Sequence, residues 1–227
     1  MLRNLLLSLI RSKKPILFDD PCRIEPVSRI FGLDRGTPVD RYYTEHFLDE
    51  NRRLIRGRVL EVGDSTYSRR FGTKVEQYEV LHAVQDKNAT IVGDLADCAT
   101  LPRDAFDCFV CTQTFNFIFE VQKAVVGAHY LLKPGGVLLA TVAGISQISR
   151  YDMDRWGDYW RFTEASLKKL FEPVFMGGVE VEIHGNALAA CSFLQGIALE
   201  DLPDTSLLAR KDPDYQMLLT IVARKAS

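Results

Sequence analysis

The stretch RGRVLEVGDSTYSRRFG, residues 56–72, contains the residues best suited to hold a small-molecule cofactor. Glu61 and Gly63 come at the end of an apolar run, where a buried strand would enter a turn. A dinucleotide site needs G-x-G-x-x-G at this point, because the pyrophosphate must approach bare backbone at a helix N-terminus. Ser65 and Tyr67 stand where further glycines are expected. The turn therefore disfavours a pyrophosphate ligand, and with it a dehydrogenase.

A second group of chemically active residues lies between residues 149 and 163. It combines aromatic rings with carboxylates. This combination suits a hydroxylated ring such as a sugar or a phenol, because the aromatic rings offer apolar faces for its C–H bonds and the carboxylates accept hydrogen bonds from its hydroxyl groups. The group comprises Tyr151, Asp152, Asp154, Trp156, Asp158, Tyr159, Trp160 and Arg161. We expect Tyr151, Trp156, Tyr159, Trp160 and Arg161 to bind the substrate. The alternative is that Trp156 and Trp160, four residues apart, pack one helical turn onto the domain.

Short apolar segments that are typical of strands buried on both faces recur from residue 58 onward. They are residues 58–63, 75–83, 89–94, 105–113 and 136–143. Helical patterns separate them, and one ends in Pro134, Gly135 and Gly136, a stop signal before the next strand. This alternation predicts crossover units in a mostly parallel sheet.

Two later strands, over residues 179–185 and 216–225, complete the expected sheet. A helix with Thr163 as N-cap precedes them, and a helix over residues 186–202 joins them. We therefore predict an α/β fold with a Rossmann-like, seven-stranded, mostly parallel sheet, helices on both faces and an antiparallel last strand. We expect an N-terminal extension over residues 1–38 and one domain over residues 39–227.

The composition is that of a globular protein without a membrane span. The 227 residues are 47% hydrophobic and 26% charged, and the net charge of −2 gives no electrostatic footprint for nucleic acid. The Cys108 and Cys111 pair lies in a predicted strand. Side chains three apart there point to opposite faces, so we expect buried thiols and no metal site.

Residues 1–14, MLRNLLLSLIRSKK, have the pattern of a basic amphipathic helix. It is too short to span a membrane and has no cleavage site, so a signal peptide is disfavoured. The helix is expected either to dock on its own domain or to make weak contact with an anionic membrane surface. The predicted location is cytoplasmic, with a peripheral position at the inner membrane face as the second alternative.

The turn at Glu61, the strand order and the late stretch LLKPGGVLLATV together resemble the class I S-adenosylmethionine-dependent methyltransferase family. Its first motif is E/D-x-G-x-G-x-G, of which EVGDSTY keeps Glu61 and Gly63 and replaces the later glycines. S-adenosylmethionine has no phosphate, so close backbone approach matters less. The resemblance covers roughly residues 56–224. The stretches GLDRGTPVDRYYTEHFL and RYDMDRWGDYWRFT are similar to a bacterial branch of glycan and secondary-metabolite methyltransferases.

The resemblance implies roles in binding S-adenosylmethionine for residues at successive strand ends. Glu61 would orient the methionine ammonium. Gly63 would let the chain pass close to the cofactor, and Asp64 would also contact the cofactor. Glu79 would grip the two ribose hydroxyls, although His82 competes for that position. Both carboxylates are expected to face one cleft.

The same resemblance implies further contacts at the adenine and methionine ends. Asp94 would accept the adenine amino proton, and the backbone of Leu95 would serve the ring nitrogen. Thr112 and Gln113 would line the methyl end. Arg41 or Tyr43 would reach the methionine end from the segment before the first strand, where the competing role of Asp40 is a plain N-cap.

Methyl transfer from a sulfonium is a displacement, and a base is needed only if the acceptor is a hydroxyl that keeps its proton. Asp152, Asp154 and His184 are the candidate catalytic residues. The sequence predicts a methyltransferase that acts on a small hydroxylated acceptor, with O-methylation favoured. The alternatives are a catalytically inactive binding or regulatory module of the same fold, and a peripheral membrane enzyme with a lipid-linked acceptor.

Overall fold

A computed structural model describes residues 23–227, which form a seven-stranded sheet with helices on both faces. The strand order is β3-β2-β1-β4-β5-β7-β6, and only β7 runs antiparallel to its neighbours. The strands are β1 (Gly57–Val62), β2 (Val75–His82), β3 (Ile91–Val92), β4 (Phe106–Thr112), β5 (Leu132–Ala143), β6 (Val179–His184) and β7 (Leu218–Arg224). The predicted fold class is confirmed.

The helices divide between the two faces of the sheet. They are α1 (Val39–Glu50), α2 (Thr66–Phe71), α3 (Val121–Leu131), α4 (Arg150–Met153), α5 (Glu164–Phe175) and α6 (Ala187–Gln195). Helices α3 and α5 cover one face with apolar side chains such as Phe171 and Leu131. Helices α1 and α2 cover the other face, and α6 packs against α1 and β7.

Strand alternation decides where the two predicted structural cysteines lie. Cys111 belongs to the core under α3 and α5, whereas Cys108 belongs to the core under α1 and α2. Both are fully buried. Their thiols therefore point to opposite faces of the sheet, as the spacing predicts.

Element boundaries differ from the sequence prediction mainly around β5. Helix α3 ends at Leu131, and β5 begins at once with Leu132, ahead of the Pro-Gly-Gly turn. The register with β4 jumps there, because residues 133–136 loop out before Val137 pairs with Cys108. Thr163 caps α5 as predicted, since its side chain accepts the N–H of Ser166.

Residues 23–38 pack against the domain and fix the start of α1. Arg35 donates two hydrogen bonds to Asp201, at 2.7 and 3.0 Å. Pro38 forms an isolated bridge with Ala198 immediately before α1 begins. The first turn of α1 is thereby held in one position. The expected boundary at residue 38 stays a prediction.

The expectations for residues 1–14 lie outside the described residues. Within residues 23–227, no helix is long and apolar enough to cross a membrane.

Candidate active site

The turn after β1 leaves open space beside its glycine. Gly63 has a φ of +81°, a conformation that favours glycine, and a Cβ built there meets no atom within 4 Å. The neighbouring Asp64 accepts the N–H of Thr66 and starts α2. A ligand can therefore lie directly against the backbone of this turn.

Glu61 supports the turn from below. Its two carboxylate oxygens accept the N–H groups of Tyr67 and Ser68, at 3.1 and 2.8 Å, and the residue is only 3% exposed. Burial raises the pKa of Glu61 to about 7, against the lowering effect of these hydrogen bonds. Glu61 thus fixes the first turn of α2, which is a positioning role.

Glu79 does not share a cleft with Glu61, so that expectation is wrong. Glu79 lies three residues before the end of β2 and pairs in register with Leu60, whereas Glu61 pairs with Val80. Because side chains alternate along a strand, the two carboxylates point to opposite faces of the sheet. Burial raises the pKa of Glu79, but side-chain hydrogen bonds from Thr90 and Arg58 outweigh that effect and lower it.

His82 is the residue that ends β2, and its ring has an unused nitrogen. Nδ1 of His82 is buried, and no hydrogen-bond partner reaches it in the described part of the chain. The ring contacts Trp156 edge-on, with centroids 6.3 Å apart. His82, and not Glu79, thus occupies the end of β2, and the ribose-binding role stays a prediction.

The loop after β3 holds Asp94 and Leu95 through its own backbone and through α3. Asp94 accepts the N–H of Ala96 and is otherwise exposed, while Leu95 is buried. Helix α3 comes so close that a Cβ at Gly127 would lie 2.0 Å from the carbonyl oxygen of Leu95. Gly127 therefore allows the loop to sit against the helix.

Gln113 follows β4 in a strained conformation. Its φ is +48°, and its N–H donates to the carbonyl of Thr141 at 2.8 Å. This geometry brings the Gln113 side chain into the wall of a cleft. Thr112 is half-buried at the end of β4.

The cleft has a volume of about 270 Å³ and lies beyond the ends of β4 and β5. Three phenylalanines, Phe31, Phe117 and Phe193, form its apolar wall. Its polar side chains are Asp40, Gln113, Asn116, Ser146, Gln147, Ser149, Asp152, Asp158 and Arg161. Binding sites in open parallel sheets lie at this edge.

Arg161 is fully occupied in holding the loop after β5. Its guanidinium pairs in a fork with Asp158, at 2.5 and 2.9 Å, and donates to the carbonyls of Ser146, Gln147 and Trp160. The Asp158 side chain is 1% exposed. Arg161 lines the cleft, yet its five N–H groups already have acceptors.

Of the predicted acceptor residues, only Arg161 lines the cleft. Trp160 donates through Nε1 to the carbonyls of Ile118 and Phe119, and Tyr159 packs on the Phe119 ring. Tyr151 is exposed, with Arg155 stacked on it. Trp156 and Trp160 do not share a helical turn, and both are exposed, so neither the packing alternative nor substrate binding is decided for them.

Of the predicted catalytic residues, only Asp152 lies in the cleft. It accepts the hydroxyl of Ser149 at 2.5 Å. Asp154 forms an exposed ion pair with Arg150. His184 lies elsewhere, bonded to Thr220 at 3.0 Å, and burial lowers its pKa to about 4. The structure does not bring Asp154 or His184 into this cleft, and their catalytic role stays a prediction.

The segment before β1 contributes a polar residue to the cleft, and it is not a residue that the sequence predicts there. Tyr43 is buried and donates to the carbonyl of Leu208, so it does not reach the cleft. Arg41 is exposed. Asp40 lines the cleft instead, and Pro38 rather than Asp40 occupies the N-cap position of α1. Only its burial, which no local pattern encodes, distinguishes it.

Residues 47–140 match the family model of a methyltransferase domain. This match runs from α1 into β5 and includes the turn at Gly63 and the loop at Asp94. It covers less than half of the chain and agrees with the resemblance of the sequence to S-adenosylmethionine-dependent methyltransferases. No curated protein matches the sequence significantly.

Solved structures with the same fold include methyltransferases and a [4+2]-cyclase. An S-adenosylmethionine-dependent methyltransferase from Mesorhizobium loti is 17% identical, with a TM-score of 0.53, over 82% of this chain and 100% of that chain. Phosphoethanolamine N-methyltransferase 2 from Haemonchus contortus, in complex with S-adenosyl-L-methionine, is 15% identical, with a TM-score of 0.54, over 91% and 55%.

The [4+2]-cyclase SpnF is 18% identical, with a TM-score of 0.54, over 91% of this chain and 88% of that chain. At these identities the likeness establishes a shared fold.

Proposed function

We propose that this protein is an S-adenosylmethionine-dependent methyltransferase that transfers a methyl group to a small hydroxylated acceptor, most favourably to oxygen. The observation that carries the proposal is the cleft beyond β4 and β5, whose wall includes Gln113 and Asn116 of the matched methyltransferase domain. Its polar side chains and phenylalanine rings suit a small molecule with both hydroxyl groups and an apolar face.

The residues at the sheet edge fit S-adenosylmethionine. Open space beside Gly63 admits the cofactor, and the unused Nδ1 of His82 can meet a ribose hydroxyl. Asp94 and Leu95 are proposed for adenine, and Gln113 with Thr112 for the methyl end. When bound, S-adenosylmethionine supplies an electrophilic methyl group on a sulfonium.

The cleft residues would position the acceptor and remove its proton. Asn116 is buried and bonds to Trp160 and Ala143, so it fixes the floor between β5 and the loop. Asp152 is the cleft carboxylate that we propose as the proton acceptor for the hydroxyl of the substrate, because it already accepts a hydrogen bond from the Ser149 hydroxyl.

The second candidate function is a non-catalytic module of the same fold. One observation favours it: the first motif, EVGDSTY, lacks the later glycines of the family pattern. Such a module would bind the cofactor without transferring its methyl group.

Calorimetric titration with S-adenosylmethionine tests the shared part of both proposals. Absence of binding at millimolar cofactor would end both. An acceptor panel of sugars and phenols, read out as S-adenosylhomocysteine release, then separates them. Turnover supports the enzyme, and binding without turnover across the panel supports the module.

The cytoplasmic location and the membrane contact of residues 1–14 are proposals that rest on sequence alone. A variant lacking residues 1–14 should sediment less with anionic liposomes than the full chain does. Equal sedimentation of the two would remove the membrane proposal.

A further inference from the structure

Asp40 is a carboxylate in the cleft wall, and the nearest positive charge acting on it is the exposed Arg41. It lies in the first turn of α1, and its Oδ1 is buried. No donor among residues 23–227 forms a hydrogen bond with that oxygen. Among the cleft carboxylates it is the one whose bonding capacity is left unused.

The backbone just before Asp40 is held in place. Pro38 is tied to Ala198, and Val39 is fully buried. Burial raises the pKa of Asp40 to about 6, although Arg41 and the backbone N–H groups of the first turn lower it. At neutral pH the group is therefore a carboxylate in a poorly solvated site, which is costly without a cation.

The other charges at this edge already have partners. Asp158 and Arg161 neutralise each other, and Asp152 accepts the Ser149 hydroxyl. Both oxygens of Glu61 accept backbone N–H groups. Among the described residues, no cation of the cleft wall is left to pair with Asp40.

We propose that the carboxylate of Asp40 binds an ammonium group of a ligand. The inference rests on the proposed function, because the cofactor has an amino-acid ammonium that must be held at this end of the sheet. An amine on the acceptor is the second source of the same chemistry. In either case the ligand would supply the donor that the described residues do not supply to Oδ1 of Asp40.

The test compares the wild type, Asp40→Asn and the control Asp49→Asn. Asp49 lies on the same helix in an exposed ion pair with Arg52, so its variant repeats the chemical change outside the cleft. Each protein is titrated with S-adenosylhomocysteine and with 5′-methylthioadenosine, which lacks the amino-acid portion. Circular dichroism verifies that each variant is folded. A second arm titrates glucosamine and glucose in the presence of 5′-methylthioadenosine.

If the cofactor is the source, Asp40→Asn binds S-adenosylhomocysteine about 10- to 100-fold more weakly than the wild type, and binds 5′-methylthioadenosine equally. If the acceptor is the source, only glucosamine binding falls, and glucose binding does not change. Asp49→Asn should match the wild type throughout.

Two results count against the inference, and they differ. If the wild type and Asp40→Asn bind S-adenosylhomocysteine equally and do not differ for glucosamine, Asp40 is not an ammonium site and the proposed function stands. If the wild type binds neither adenosine compound, the proposed function fails, and the inference fails with it.

Discussion

Replacing Asp40 by Asn should stabilise the ligand-free protein, and only above acidic pH. The pKa of Asp40 lies at about 6 instead of the ordinary 3.8. Each factor of ten in proton affinity is about 1.4 kcal/mol, so the buried carboxylate costs about 3 kcal/mol of unfolding free energy at pH 8. Asn leaves a neutral polar group unpaired, at about 1 kcal/mol. The net gain is about 2 kcal/mol, or roughly 4 to 8 °C in Tm.

The sign of the pH dependence is the discriminating part of this prediction. A raised folded-state pKa destabilises the fold as pH rises from about 4 to about 6, with no further change above. Arg41 on α1, Tyr67 on α2 and Asp152 across the cleft face or border the group, and Tyr67, with a pKa of about 12, does not titrate in this range. Subtracting wild-type from Asp40→Asn stability cancels titrations elsewhere.

Urea unfolding of both proteins at intervals from pH 4 to 8 measures that difference. The gain of Asp40→Asn should be absent near pH 4 and full by pH 7. A variant that is no more stable at pH 8, or whose gain is the same at pH 4 and pH 8, would refute the assignment of Asp40 as a buried, uncompensated carboxylate.

Three further substitutions test the remaining parts of the site. Glu61→Gln leaves one oxygen for two backbone N–H groups, so calorimetry should show S-adenosylmethionine bound about 10-fold more weakly; unchanged affinity would exclude the positioning role of Glu61. Arg161→Ala leaves the Asp158 carboxylate buried alone and should cost about 3 to 5 kcal/mol in urea unfolding, whereas a loss under 1 kcal/mol would contradict the clamp. Gly127→Ala drives a methyl group against Leu95, so it should cost about 1 to 3 kcal/mol of unfolding free energy and weaken adenosine binding. A variant with wild-type adenosine affinity would show that the loop tolerates the displacement.

The sequence predicts those features that depend on local patterns. Apolar runs and turn residues located the strands, the spacing of Cys108 and Cys111 predicted opposite faces, and Thr163 was recognisable as a cap. Gly63 was recognisable because a turn after a buried strand needs it. Each of these signals lies within a few residues of its target.

The sequence does not locate residues whose position is set by distant partners. A shift of one residue along β2 moves a side chain to the other face, which is why Glu79 was assigned to the cofactor edge. Tyr43 bonds to Leu208 and His184 to Thr220, contacts that join far-apart segments. Asp40 was interpreted as a cap because its burial depends on how α1 meets the cleft.

The Arg161 clamp has a consequence for how the protein can change. Because the guanidinium holds both ends of the loop through Asp158 and the carbonyls of Ser146 and Gln147, the path of the chain does not depend on the residues in between. Positions such as Tyr151 and Asp154, exposed on that segment, are free to vary without loss of the fold. Substitutions at these exposed positions are therefore expected to leave the fixed ends of the loop, and the cleft that they line, in place.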